Sequence, residues 1–184
     1  TDATGDVSQT AGARVIRLPS NVGKGVAIRR GLEEVHGGVI VLIDGDGQDD
    51  ATEIPLLLEA LQPGVDLVIG SRFKGHFEPG AITPINRAGN RFLTQVINVL
   101  FSTTLTDTQA GFKAFRWEAL RRVNLQASRF DIEVDLLIGI LRSGGRVVEV
   151  PVSRAPRQHG HSRLSSIRDG ARILCRILAL RFLR

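Results

Sequence analysis

The sequence has no methionine and no tyrosine, and only one cysteine and one tryptophan, among its 184 residues. A primary translation product starts with methionine, so the chain reads as processed, trimmed or partial. One cysteine, Cys175, cannot form an internal disulfide, which excludes a secreted scaffold stapled by bridges. It lies in an apolar C-terminal pattern and reads as a packing residue. Aromatic residues make up only 5%, too few for a platform of rings that stacks bases. No Cys/His finger spacing occurs either, so nucleic acid is not an expected partner. No apolar run approaches the roughly 20 residues that cross a bilayer, and no signal peptide is visible. The expected location is cytoplasmic, with peripheral attachment to the cytoplasmic face of a membrane left open.

What is present is ordinary for a globular protein: 42% hydrophobic and 23% charged residues. The length fits one domain with a sizeable core. The net charge of +5 reads either as an ordinary basic surface or as attraction to phosphates, in nucleotides, lipid phosphates or an anionic membrane face.

Residues 14–18 read as a short strand ended by Pro19, followed by a helix over 25–35 that Gly37-Gly38 closes. Residues 39–43 form a continuous apolar run rich in β-branched residues, the pattern of a strand buried on both faces. An acidic turn, Asp44 to Asp50, follows directly. Asp50 or Thr52 caps a helix carrying Ile54, Leu57, Leu58 and Leu61. Residues 65–69 read as the next buried strand. Strand, helix, strand, helix, strand argues for a parallel sheet with right-handed crossovers, whose ligands sit beyond the carboxyl ends of the strands. Residues 73–84 read as a mobile loop, 85–101 as a long amphipathic helix and 106–111 as a polar turn. A short strand is expected over 112–115, an apolar helix over 132–141, a strand over 146–152 and a basic loop over 153–165. An amphipathic helix over 166–184 closes the chain. With no internal linker, residues 1–184 read as a single domain.

Asp44-x-Asp46 at a strand end is the strongest local signal. Carboxylates at i and i+2 can face one hard cation, and Mg2+ or Mn2+ keeps positions open for phosphate oxygens. Such a cation neutralises charge developing on a diphosphate leaving group. Gln48 can add a neutral oxygen. A plain acidic surface turn is the competing reading; an EF-hand does not fit, because Pro55 stands at the twelfth loop position. Gly23 and Lys24, in Asn21-Val22-Gly23-Lys24-Gly25, can hold a nucleotide phosphate or ribose at a helix entry, though a simple glycine helix entry explains them as well. Arg72, Arg87, Arg154, Arg157 and Arg163 cluster in or beside loops, and arginine suits bidentate phosphate recognition. His159 and His161 read as exposed loop residues. Asp107 on its polar turn is a candidate general base or orienting group, or an Asx-turn residue. Glu133 lies in an apolar segment, where a carboxylate must be paired or functional.

Together these segments resemble the family-two glycosyltransferases of the GT-A fold, and among them the polyprenyl-phosphate (dolichyl-phosphate) mannosyl and glucosyl transferases. The resemblance runs in order through 21–31, 44–50, 66–73, 86–90, 106–113, 130–133, 149–157 and 160–164. It implies an α/β, mostly parallel sheet flanked by helices. The implied reaction is metal-dependent transfer of a hexose, with inversion, from a UDP- or GDP-linked sugar to a lipid phosphate acceptor. It places Asp44 near the donor ribose and diphosphate, with Asp46 and Gln48 on a Mg2+ or Mn2+ ion. Arg72 and Arg87 would meet the acceptor phosphate. Arg163 stands where the family often has lysine. Asp107 would act on the acceptor side as base or orienting group. Residues 1–4 look like the end of an early aspartate-containing turn of the family, so its first strands are expected to lie upstream. The last helix is expected either to lie on a membrane surface or to pack as the final core helix. Two other readings stay open: the same donor with a soluble phosphate or saccharide acceptor, and a fragment that binds metal or nucleotide without turnover.

Overall fold

A computed structural model describes residues 3–158 and 166–183. His159, His161 and Arg163 therefore lie outside the described residues, as do Thr1 and Asp2. The elements are α1 (Thr4–Thr10), α2 (Lys24–Leu32), β1 (Val39–Leu42), a 3-10 turn (Ala51–Glu53), α3 (Ile54–Ala60), β2 (Leu67–Phe77), α4 (Pro84–Phe101), β3 (Lys113–Arg116), α5 (Trp117–Leu120), α6 (Ile132–Arg142), β4 (Val147–Arg154) and α7 (Ser166–Phe182).

The four strands form one sheet in the order β1-β3-β2-β4. β2 and β4 are parallel, while β3 runs antiparallel to both β1 and β2. Three strands thus share one direction, as a mostly parallel sheet requires, but two of the three pairings are antiparallel. The cause is β3, which follows the polar turn at the carboxyl end of β2 and has to run back between its neighbours. The Gly70 amide, donating to the Phe112 carbonyl at 2.9 Å, marks where it enters.

Alternation along β2 sends Leu67 and Ile69 into a core shared with α2, α4, α6 and α7. Val68 points the other way, to a second core with Leu57 of α3 and Leu61 just after it. β2 is therefore buried on both faces. β1 is not, because it is the edge of the described sheet: Val39 is 45% exposed and Ile43 39%. The strand expected over 14–18 forms no ladder, since none of the described strands runs beside it. The loop expected from residue 73 is instead strand as far as Phe77. β4 continues alongside it through a register shift between Ser71 and His76. Thr83, Pro84 and Ser102 bound α4: the Thr83 hydroxyl accepts from the Asn86 amide, proline stands at the helix start, and Ser102 takes a left-handed cap.

α6 is buried nearly all round, so its carboxylates need partners. Two of them anchor α7: Arg172 pairs with Asp131 at 3.2 Å and Arg176 pairs with Asp135, one turn further along each helix. Ile173 and Ile177 fill the space between.

Close approach of β2 to β4 depends on Gly75, where a methyl group would lie 2.1 Å from the Val152 carbonyl oxygen. Gly75→Ala is expected to lower stability by about 1–3 kcal/mol, read from the urea midpoint; an unchanged midpoint would show that the two strands part at no cost.

Candidate active site

The acidic turn leaves the carboxyl end of β1 and folds against the segment after β4. Asp46 accepts from the Gln48 amide at 3.1 Å, and its other oxygen lies 2.6 Å from Arg157. Gln48 is buried. Its amide nitrogen donates to the Ala155 carbonyl at 3.0 Å, and its oxygen accepts from Arg154 at 3.0 Å. Arg154 also pairs with Asp49 at 2.6 Å. Burial pushes the Asp49 carboxyl up, against the pull of Arg154. Gln48 is therefore a strut between turn and strand as well as part of the pocket lining, with its side-chain oxygen already accepting from Arg154. Asp44 and Asp46 both line the adjoining pocket. As two hard carboxylates at the end of one strand they fit a divalent cation. Among the described residues no group of three or more His, Cys, Asp or Glu side chains converges on a single point. Further positions on such an ion would fall to phosphate oxygens and water.

Lys24 opens α2 and reaches across to Asp44 at 2.7 Å and to Glu133 of α6 at 2.8 Å. The other Glu133 oxygen is paired with Lys113 of β3, which has no exposed surface. Burial opposes the Glu133 charge, yet Lys113 and Lys24 overcome it and hold the carboxyl down at about 2. Lys24 is likewise opposed by burial, with Glu133 and then Asp44 raising its pKa. Burial pulls Lys113 below the ordinary lysine value, with Glu133 working against it. The glycines beside Lys24 serve packing. The Gly25 and Val26 amides donate to the Ser128 carbonyl at 3.1 and 3.4 Å, and a methyl on Gly25 would meet the Ala127 carbonyl oxygen at 2.4 Å. These first helix amides are engaged by protein, so Gly23 is part of a tight helix entry and does not line the pocket; Lys24 is the member of the segment that does.

On the other side of the pocket, Arg72 and Asp107 form a two-pronged pair at 2.7 and 2.8 Å. The Arg72 amide also donates to Asp107 at 3.1 Å. Asp107 is fully buried behind Arg72, a position from which it orients the guanidinium and cannot take a proton from a ligand in the pocket. The Asp107 turn is fixed from below by Glu149 of β4, which accepts from the Thr106 and Asp107 amides at 2.8 Å each. Arg87 projects away from the pocket and lies over the Phe77 ring at 5.3 Å.

Lys24, Asp44, Asp46, Arg72, Arg154 and Arg157 thus line one pocket of about 380 Å³, with Glu133 at its base and the inner face of α4 as a wall. Lys113, Glu149 and the packing role of Arg154 escaped the sequence reading. The signal was there for two of them: a lone charge inside an apolar strand, Lys113 in 112–115 and Glu149 in 147–152.

The Glu133 cluster has a consequence for pH. Its folded pKa lies below the usual 4.5, so its contribution is full above that value and is lost as pH falls towards about 2. Glu133→Gln is expected to cost about 3–5 kcal/mol, because the buried Lys113 loses its partner and Lys24 one of its two, and to flatten the acid limb of the stability curve. Lys113→Met added to it should restore part of the loss. Urea unfolding from pH 7 to pH 2 measures this, and an unaltered acid limb in Glu133→Gln would contradict it.

The family model for glycosyl transferase family 2 matches residues 1–123. Glycosyltransferase AglJ of Haloferax volcanii is 34% identical over 172 residues, covering 92% of this chain and 56% of that protein. The undecaprenyl-phosphate mannosyltransferase of Micrococcus luteus is 33% identical over 180 residues, covering 89% of this chain and 72% of that protein. The chain spans about half the length of the first curated relatives it matches. Among solved structures, glucosyl-3-phosphoglycerate synthase of Mycobacterium tuberculosis superposes with a TM-score of 0.74 at 24% identity, over 98% of this chain and 65% of that one. The fold is thus the GT-A-like α/β arrangement of a helix-flanked sheet, and the chain belongs to glycosyl transferase family 2.

Proposed function

We propose that the chain carries the catalytic site of a metal-dependent, inverting hexosyltransferase that moves a sugar from a UDP- or GDP-linked donor to a polyprenyl or dolichyl phosphate. The observation behind this reading is that a carboxylate pair after a strand end, Asp44 and Asp46, and three arginines, Arg72 from β2 with Arg154 and Arg157 from the end of β4 and just beyond it, share one pocket. The carboxylates suit the donor diphosphate through a cation, and the arginines suit a second phosphate. A divalent ion on Asp44 and Asp46 would neutralise charge on the departing diphosphate.

An acceptor phosphate oxygen forms the new bond to the anomeric carbon as the bond to the donor diphosphate breaks on the opposite face. The nucleophile is already an anion, so no strong base is needed, and the site offers none. Asp107 is buried behind Arg72, and Glu133, with a pKa of about 2, is a poor proton acceptor. Arg72 holds the acceptor phosphate, and Asp107 positions Arg72. Lys24, fixed by Asp44 and Glu133, stands where a donor phosphate would lie. Arg157 pairs with Asp46 at 2.6 Å, a contact that a cation held by Asp46 would have to share or replace.

The pocket arginines read phosphate whatever it is attached to. A soluble phosphorylated acceptor is therefore the second reading, and extraction of labelled product into organic solvent separates the two.

Calorimetry of UDP and GDP with the chain is expected to show binding that requires manganese, and Asp46→Asn is expected to weaken it about 10- to 100-fold. Equal manganese-dependent affinity in Asp46→Asn would remove the acidic turn from the donor site. Arg72→Ala is expected to lower kcat/KM for the acceptor by about 10- to 100-fold, with donor affinity little changed; the opposite pattern would move Arg72 to the donor side.

A further inference from the structure

A polar turn joins the two charged sides of the pocket. Asp107 at its start orients Arg72. Gly111 at its end lies under the Lys24–Asp44 pair: a methyl group there would come within 2.9 Å of the Asp44 carboxylate and 3.0 Å of the Lys24 ammonium. Gln109 stands midway between them. It is half-buried and lines the pocket.

The protein holds Gln109 by one of its two polar atoms. Its Nε2 donates to the Thr108 hydroxyl at 3.1 Å. Thr108 is fully buried and tied to the buried Thr94 of α4. Their hydroxyls lie 2.9 Å apart, and the Thr108 amide donates to the Thr94 hydroxyl at 3.2 Å. Nothing among the described residues donates to Gln109 Oε1, which is not buried.

The same link positions a second amide. Asn90 stands one turn before Thr94, on the same face of α4, and it also lines the pocket. Among the described residues its side chain has no hydrogen-bond partner. Gln48 differs, since its amide is spent on the Ala155 carbonyl and on Arg154.

Asn90 and Gln109 are thus neutral groups with hydrogen bonds to spare, set in a pocket whose other polar groups are largely charged. Phosphates are drawn to the charged groups. The amides suit an uncharged part of a ligand that is rich in hydroxyls. An amide presents an acceptor and donors at one tip, and a hydroxyl needs both. In the transfer read above, the anomeric carbon exchanges one phosphate for another. Its sugar therefore lies between the two charged sides, where Gln109 stands.

We propose that Gln109 and Asn90 bind the hydroxyl groups of the transferred hexose and set which hexose is accepted. The inference rests on the donor reading above and names the groups that meet the uncharged part of that donor. Epimers differ in the direction of one hydroxyl. A wrong epimer leaves a positioned amide unpaired, and an unpaired polar group in a closed site is costly. Gln109, clamped through Thr108, has little freedom to follow a misplaced hydroxyl. Hydroxyls of a saccharide acceptor share this chemistry, so the test has to separate the two sources.

Calorimetry with manganese compares UDP with UDP-glucose and UDP-galactose, and GDP with GDP-glucose and GDP-mannose. Gln109→Ala and Asn90→Ala are each expected to leave UDP and GDP affinity within about twofold. Each is expected to weaken the preferred nucleotide-hexose about tenfold. Gln109→Ala is also expected to narrow the gap between the two epimers on the preferred nucleotide. Equal weakening of nucleotide and nucleotide-hexose would make both residues structural and overturn the proposal. So would unchanged affinity for every nucleotide-hexose. So would a loss seen only in the KM for undecaprenyl phosphate in detergent or for a soluble saccharide phosphate, which would assign the amides to the acceptor. These three outcomes leave the donor site at Asp44 and Asp46 standing. An unsubstituted chain that binds no nucleotide with manganese removes the donor reading itself, and this proposal with it.

Discussion

The Glu133 carboxylate, clamped between two ammonium groups, is the interaction on which the site depends. Its partners come from different parts of the fold: Lys113 from the middle of the sheet, Lys24 from the start of α2. Lys24 passes the link on to Asp44 at the end of β1. A buried carboxylate with one partner would be a costly group, but with two it is a joint that fixes three elements relative to one another. The side of the pocket that holds Lys24 and Asp44 inherits its geometry from this joint. Without it, α2 would be tied to the sheet mainly by its apolar face and by the Ser128 carbonyl.

A second joint serves the other side of the pocket by the same logic. Glu149 stands on β4 opposite Ile69 and gathers two backbone amides of the polar turn. That turn presents Asp107, and Asp107 orients Arg72. Two acids buried in the sheet region thus hold two cations at the pocket, Lys24 and Arg72. The pocket charges are set from its base and from behind it.

The parts that were legible in the sequence are those with a local cause. The run at 65–69 announces a strand buried on both faces, Thr83-Pro84 announces a helix start, and Asp44-x-Asp46 after an apolar run announces a strand end bearing carboxylates. Illegible parts depend on partners. Residues 14–18 have the composition of a strand, yet composition does not supply a neighbour. The alternation in 112–116 is the same for either strand direction, so the reversal of β3 was invisible. Residues 73–77 looked like a loop because their strand character comes from β4, far along the chain. Asp107 looked like a possible base until Arg72, 35 positions away, was seen to cover it. The bracing of Gln48 by Arg154 was invisible too, because nothing nearby in sequence indicates that partner.

The reversed strand also governs how the molecule comes into being. Ile40 pairs with Phe115, and Leu67 pairs with Val147, so every ladder joins distant parts of the chain. A growing polypeptide cannot complete the sheet until β4 has left the ribosome. Until then the apolar run of β2 waits with the edge that β4 will cover unpaired. Long-range pairing of this kind folds slowly and exposes sticky strands meanwhile. The topology that brings the two halves of the pocket together therefore makes this chain one whose yield in a cell depends on protection during synthesis.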